Sequence, residues 1–331
     1  MSSAKAEARR GPLNHNEDRG NPSRAEPGQG LDIAAPHGRE YSGRRAAGGG
    51  AVSPLDPVAS ATAGATVLQV TRSLQRWAAR HPSVVDLDLV LPVALTHTFC
   101  CPWLRTHELL AGCRTALWVF HVDDVVEKVP LDVPRLLDIA AGAAPDPENP
   151  TETVLGELRD ELTGRPLFDA TGDLWGNTLN CLLTGLMWER DTALALSAGA
   201  AEPSVEEYLR HAFTIGSAFV RSSLWLGSED LGLLPQLDVL SAGMSEAVVA
   251  VRLANDLASY ERELAEPASL NVLMLQGIDE RWVHSEIRKR RARCAEILAP
   301  VLQQSNAAVG VLRLIDYTTT FYLNTDYRPT E

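Results

Sequence analysis

From about Ala63 onward, apolar residues recur at the three-and-four spacing of a helix face. ATVLQVTRSLQRWAARH, RTHELLAGCRTALWVFHV, LDVPRLLDIAAG and DLWGNTLNCLLTGLMWERDTALAL all follow this pattern. PSVEEYLRHAFTIGSAF opens on Pro203 and Ser204 with acidic residues behind them, a helix-start signature, and Gly216 breaks it. DVLSAGMSEAVVAVRLANDLASYERELAE predicts a long helix, and DERWVHSEIRKRRARCAEIL and NAAVGVLRLIDYTTTFYL predict two more. Alternating strand patterns are scarce, and no repeat of fixed period stands out. Roughly ten helices in succession predict one all-α domain, a single helical bundle. The run from Leu182 to Trp188 is apolar over most of its surface, so a central helix surrounded by others is expected there.

Residues 1–62 are of another kind. They are rich in Gly, Pro, Ser and Arg and poor in large apolar residues, as in PHGREYSGRRAAGGG. Such a segment cannot bury enough surface to offset the entropy of ordering it, so a disordered N-terminal extension is expected, with the domain spanning 63–331. The whole chain has 331 residues, is 45% hydrophobic and carries a formal charge of −13. That acidity argues against a general binder of nucleic acid or anionic membranes. The five cysteines are scattered and include no CxxC pair, which points to reduced thiols in a cytoplasmic protein. No apolar run of about 18 residues predicts a membrane span, and no apolar leader predicts secretion.

Two polar clusters interrupt the apolar pattern. Asp123, Asp124 and Glu127 close the strongly apolar helix TALWVFHVDDVVEKVP, with Asp123 and Glu127 on one face. Adjacent aspartates at a helix C-terminus oppose the local dipole, a cost that a cation would relieve. In NDLASYERE, Asn255, Ser259 and Glu263 recur every fourth residue and rise along one face, about a turn apart. A solvated face would carry alternating Lys and Glu, whereas mixed oxygen donors suit a hard divalent cation.

Together, DDxxE on one helix and NDxxSxxxE on a later one resemble the two metal motifs of class I terpene synthases. The segment LMWERDTALALSAGAAEPSVEEYLRHAFTIGS, with Trp188-Glu189 and Glu207-Tyr208-Leu209, and the later ASLNVLMLQ are similar to segments of that family. The resemblance covers the chain from Ala63 to its end. It implies an all-α bundle whose two motifs hold three Mg²⁺ ions: Asp123, Asp124 and Glu127 on one side, Asn255, Ser259 and Glu263 on the other. It implies a prenyl diphosphate substrate, whose diphosphate leaves to give an allylic carbocation in an apolar cavity. Multiple divalent ions suit that chemistry because they stabilise charge on the leaving group.

The pattern also departs from the family. Many bacterial members carry an Arg-Tyr pair near the C-terminus that reaches the diphosphate; here the order is reversed, Tyr327-Arg328. Many place a diphosphate-sensing Arg four residues after the Tyr of the EYL segment, where this chain has Ala212. Arg210 points elsewhere on its helix and Arg221 lies past Gly216, so that sensor is unassigned. Arg252 precedes Asn255 by three residues on the same helix face and resembles an Arg that contacts the diphosphate in plant-type and labdane-related synthases. Trp188, Trp225, Phe213 and Phe219 are equally consistent with cavity lining and with core. His121 and Lys128 are expected to be a packed residue and a solvated charge. The DxDD acid motif of class II cyclases is absent. With an aromatic content of 6%, these features lean toward a labdane-related diterpene synthase ionising a copalyl-type C20 diphosphate. Its expected partners are a class II diterpene cyclase supplying the substrate and a second copy of the chain in a homodimer. The alternatives are a sesquiterpene synthase acting on farnesyl diphosphate, a prenyl-elongating synthase, which would carry a second DDxxD, and a non-enzymatic acidic helical binding protein.

Overall fold

The computed structural model describes residues 56–266 and 269–328, which belong to one compact unit. The expected N-terminal extension lies outside them up to residue 55. Its boundary falls earlier than the composition indicates. Helix α1 (Pro57–Ala78) starts at a proline and is capped by Asp56, whose Oδ1 accepts from the Val58 amide at 2.9 Å. Local capping thus extends the helix by more than a turn into the polar segment, although the first buried side chain is Ala63.

Eleven further α-helices follow among the described residues: α2 (Val90–Cys100), α3 (Thr106–Lys128), α4 (Val133–Ala141), α5 (Pro150–Leu162), α6 (Pro166–Thr171), α7 (Asp173–Ser197), α8 (Val205–Arg210), α9 (Ser217–Leu226), α10 (Leu237–Glu263), α11 (Glu280–Leu298) and α12 (Asn306–Asn324). No strand occurs among them. The all-α bundle expected from the periodicity is therefore the fold. α10 packs along both α11 and α12, α9 lies against α3 and α7, and α2 bridges α1, α3 and α12.

The most enclosed helices differ from the expectation. α7 buries Leu182, Leu183 and Leu186 but exposes Cys181 and Thr184, so only one face of it meets the core. The surrounded helix is α9, in which every residue from Ala218 to Leu226 is buried, followed by the middle of α10 from Ala247 to Ala254. α9 is buried because the chain breaks sharply just before it. α8 gives way to a short 3-10 turn, Ala212–Ile215, and then to Gly216 at φ +67. A side chain at Gly216 would be strained at that φ, and its Cβ would lie 2.4 Å from Val119 Cγ1 on α3. Glycine therefore lets α9 turn back and drop along α3. Trp225 and Phe219 go into the core on this helix, with Phe219 packed against Trp118 and Trp175 at ring-centroid distances of 5.9 and 5.0 Å.

Candidate active site

One cavity of about 310 Å³ opens between the C-terminal ends of α3, α10 and α12. Its walls are largely apolar, with Val119, Phe120, Val220, Val251 and Leu314 among them. Its mouth is lined by Asp123, Glu127, Glu189, Asn255, Glu263 and the arginines Arg252, Arg262 and Arg328. Helical periodicity puts Asp123 one turn below Glu127 on α3, and the bundle turns that face toward α10. The two polar clusters, distant in sequence, thus form the two lips of a single opening.

On the α3 lip negative charge is crowded. Burial pushes the Asp123 carboxyl up to about 7, Arg328 opposes this, and Glu189, Glu127 and Asp124 add to it. Glu127 is raised by burial and then by Asp124. The positive group in contact is Arg328, whose Nη1 lies 2.6 Å from Asp124 Oδ1 while its Nη2 donates to the Phe120 carbonyl at 3.0 Å. Asp124 is engaged there on the outer side and does not line the cavity.

The α10 lip is held by its own framework. Ser259 is fully buried, and its hydroxyl donates to the Asn255 carbonyl at 2.9 Å. It does not reach the cavity wall, because the helix supplies that carbonyl one turn back. Asn271 is also fully buried; its amide donates to Glu263 Oε2 at 3.0 Å and to the Asp256 carbonyl at 2.9 Å. Asn255 and Tyr322 of α12 both line the cavity; burial raises the Tyr322 hydroxyl, and Asn255 acts to lower it. Asn271 was not singled out from the sequence, although it sits in the ASLNV segment that carried the family resemblance.

Arg252 differs from the expectation that it contacts a diphosphate. Its side chain is 8% exposed. Nη1 and Nη2 grip Glu189 at 2.9 and 2.8 Å, Nη1 also donates to Thr214 at 2.7 Å, and Nη2 to the Leu270 carbonyl at 3.1 Å. Nε donates to Asp256 and to the Tyr208 hydroxyl, both at 2.9 Å, and that hydroxyl in turn donates to Asp256. Every N–H of the fork is engaged, so here Arg252 clamps α7, α8, the 3-10 turn and the chain beyond α10. Tyr327 is likewise internal: its hydroxyl bonds with Thr96 and its ring packs on Phe120 and Phe321. Of the four aromatics read as either lining or core, none lines the cavity; Phe120, Tyr322 and Tyr327 do. Trp188 stacks on His211 at 4.2 Å instead. His121 is half-buried and bonds with Thr151, and Lys128 is exposed, as expected.

Among the described residues no three His, Cys, Asp or Glu side chains converge into a ready cation cage. The donors fit a small hard cation in another way. Carboxylate and amide oxygens stand on opposite lips, and the carboxylates on one lip are under-compensated. Mg²⁺ characteristically takes one or two carboxylates and completes its octahedron with substrate oxygens and water.

The chain is similar to known proteins over most of its length. The chain is 30% identical over 270 residues to the ent-pimara-9(11),15-diene synthase of Streptomyces sp. (strain KO-3988), covering 79% of this chain and 91% of that one. The chain belongs to the class I terpene synthase family. It is an enzyme that ionises a prenyl diphosphate. It is also 32% identical over 158 residues to the chloroplastic cis-abienol synthase of Nicotiana tabacum, 44% of this chain and 18% of that protein. Its fold matches 2-methylisoborneol synthase from Streptomyces coelicolor A3(2) with a TM-score of 0.60 at 21% identity, covering 84% of this chain and 93% of that one. It matches hedycaryol synthase at 0.54 and 16%, covering 77% and 93%. No protein-family model matches the sequence. No helix among the described residues is long and apolar enough to cross a membrane.

Proposed function

We propose that this terpene synthase is a diterpene synthase acting on a bicyclic copalyl-type diphosphate supplied by a class II cyclase. The observation that carries the substrate choice is the likeness, over nearly the whole of that relative, to a synthase named for a pimaradiene, a diterpene. The chain carries no DxDD motif, so on this route the protonation-driven closure of the first two rings falls to the partner cyclase.

Asp123, Glu127 and, across the mouth, Asn255 and Glu263 are the groups that would hold magnesium, with Asp124 and Ser259 joining after side-chain rotation; three ions are expected. A solved structure of 2-methylisoborneol synthase contains Mg²⁺ and 2-fluorogeranyl diphosphate, which supports this assignment through the shared fold. Bound magnesium neutralises the charge that grows on a departing diphosphate. The chain's residues do the rest. Arg328, exposed enough at the mouth to exchange Asp124 for a phosphate oxygen, binds and orients the diphosphate. Arg262 lies nearby, 3.7 Å from Asp326 and 3.9 Å from Glu263, pairs loose enough to exchange as well. Arg252 acts one layer out by holding Glu189 and the α10 lip. The apolar walls exclude water from the carbocation, and Phe120 and Tyr322 offer it aromatic faces.

The test is to incubate the purified chain and Mg²⁺ with farnesyl, geranylgeranyl and bicyclic copalyl-type diphosphates and to identify the hydrocarbons. A C20 diene from the bicyclic substrate is the expected result. Efficient turnover of farnesyl diphosphate with the copalyl-type substrates untouched would overturn the choice.

A further inference from the structure

The far end of the cavity carries a charge that the chemistry at the mouth does not use. Arg221 on α9 is 3% exposed and lines the cavity. Its depth follows from how α9 descends α3. Gly216 faces Val119, and further down Leu224 Cβ lies 3.4 Å from where a Cβ on Gly112 would stand. Arg221, between them, is about level with Thr115, roughly 12 Å of helix rise below Asp123. Its Nη1 donates to Cys101 Sγ at 2.9 Å and its Nη2 to the Gly310 carbonyl at 3.4 Å. Among the described residues no Asp or Glu pairs with it. A guanidinium stays protonated under these conditions. His97 lines the same end with its Nδ1–H on the Val93 carbonyl at 3.0 Å. Burial, and then the Arg221 charge, hold its imidazole down at about 4, so it is neutral near pH 7. The cavity therefore runs from an acidic mouth to a floor with one uncompensated positive charge.

We propose that Arg221 determines product specificity by keeping the positive charge of the carbocation in the mouth-side half of the cavity. The proposal rests on the reading above that the substrate enters with its diphosphate at the lips. The carbon–oxygen bond breaks with its electron pair leaving on the diphosphate, and the allylic cation is filled by the π pair of a nearby alkene. Each later hydride or methyl shift carries an electron pair one carbon toward the mouth and the charge one carbon away from it. Loss of a proton to an oxygen of the released diphosphate, held at the lips, restores an alkene and ends the sequence. With preformed rings filling the floor, every shift into them moves the charge toward Arg221 and against its field. Deprotonation close to the side chain is thereby favoured over deep rearrangement.

Arg221 also ties α9 to the end of α2 and to α12, so the test must separate charge from pinning. Three variants do this: Arg221→Met removes the charge, Arg221→Lys keeps it, and Cys101→Asp neutralises it with a carboxylate in place of the contacting thiol. The readout is the affinity of two tertiary-ammonium analogues of the bicyclic skeleton, measured with the full chain, Mg²⁺ and inorganic diphosphate. One analogue carries nitrogen beside the side chain, the other in the far ring. The wild type should discriminate against the far-ring ammonium. That discrimination should fall about tenfold in Arg221→Met and Cys101→Asp, the size of a Coulomb interaction over roughly 10 Å in protein, and persist in Arg221→Lys. The hydrocarbons made by the first two variants should gain ring-rearranged products. Unchanged discrimination in Cys101→Asp would overturn the proposal even if Arg221→Met fails to fold. If the wild type prefers farnesyl-length ammonium ions to both bicyclic ones, the substrate choice fails, and near and far ammonium ions on that skeleton decide the role of Arg221 by the same comparison.

Discussion

On the α3 lip, Asp123, Asp124 and Glu127 share Arg328 as their countercharge, whereas on the α10 lip Ser259 is hydrogen-bonded to the Asn255 carbonyl and Glu263 to Asn271. Three carboxylates crowded around one arginine are costly in the free protein and gain most when a cation arrives. Donors already bonded to a framework gain less, but they are in position beforehand. The α3 lip is thus an electrostatic spring that a ligand relaxes, and the α10 lip is a fixed edge. Removing a group from one should act mainly on activity, and removing one from the other's framework should act on stability as well.

The largest expected effect lies behind the fixed edge. Arg252→Met strands Glu189 and Asp256, and breaking such a buried pair costs about 3–5 kcal/mol. Denaturant unfolding should show that loss; a midpoint equal to the wild type would mean that the α10 edge does not depend on the clamp. Next is Asp123→Asn on the spring. Turnover should fall by about 10²–10³, comparable to removing one transition-state-stabilising group. The melting temperature of the ligand-free protein should stay level or rise, because the change removes a half-buried carboxyl that desolvation already pushes up to about 7. Added Mg²⁺ and inorganic diphosphate should raise the melting temperature of the wild type and leave this variant nearly unmoved. A marked drop in ligand-free stability would refute the spring.

Asn271→Ala should behave in the opposite manner. It leaves Glu263 and the Asp256 carbonyl without a donor, at about 1–3 kcal/mol, so both the melting temperature and the turnover should decrease. Loss of turnover with no loss of stability would place Asn271 among the ligand-binding groups instead. The smallest effect belongs to deleting residues 1–55. Melting temperature and product profile should remain as in the full chain, since helix α1 starts with its own cap at Asp56. A shift in either, followed by calorimetry and product analysis, would show that the extension docks on the bundle.

Much of the architecture was readable before folding was considered. The three-and-four periodicity placed the long helices, Ser204 marked the start of α8, and Gly216 marked the break before α9. The spacing of four put Asp123 with Glu127, and Asn255 with Glu263, on common faces, and both pairs line the cavity. Side-chain destinations were less readable. Ser259 shares the face of Asn255 and Glu263, yet its hydroxyl turns to the carbonyl one turn back. The likeness of motif points Arg252 at the diphosphate, whereas its partners here are Glu189, Tyr208, Thr214 and Leu270. Arg221, lying past the Gly216 break, carries no role that sequence spacing assigns.

The sequence by itself determined the local geometry, because helix periodicity, caps and glycine breaks depend on residues within about one turn of each other. It determined the family too, because two motifs at this spacing with matching flanking segments rarely coincide by chance. Only the tertiary structure decided which polar groups remain available for a ligand. Hydrogen-bond and ion-pair partners come from whichever elements the packing of the whole bundle brings alongside. At Arg252 that packing supplied two carboxylates, and at Arg221 it supplied a thiol and a carbonyl and left the charge unpaired.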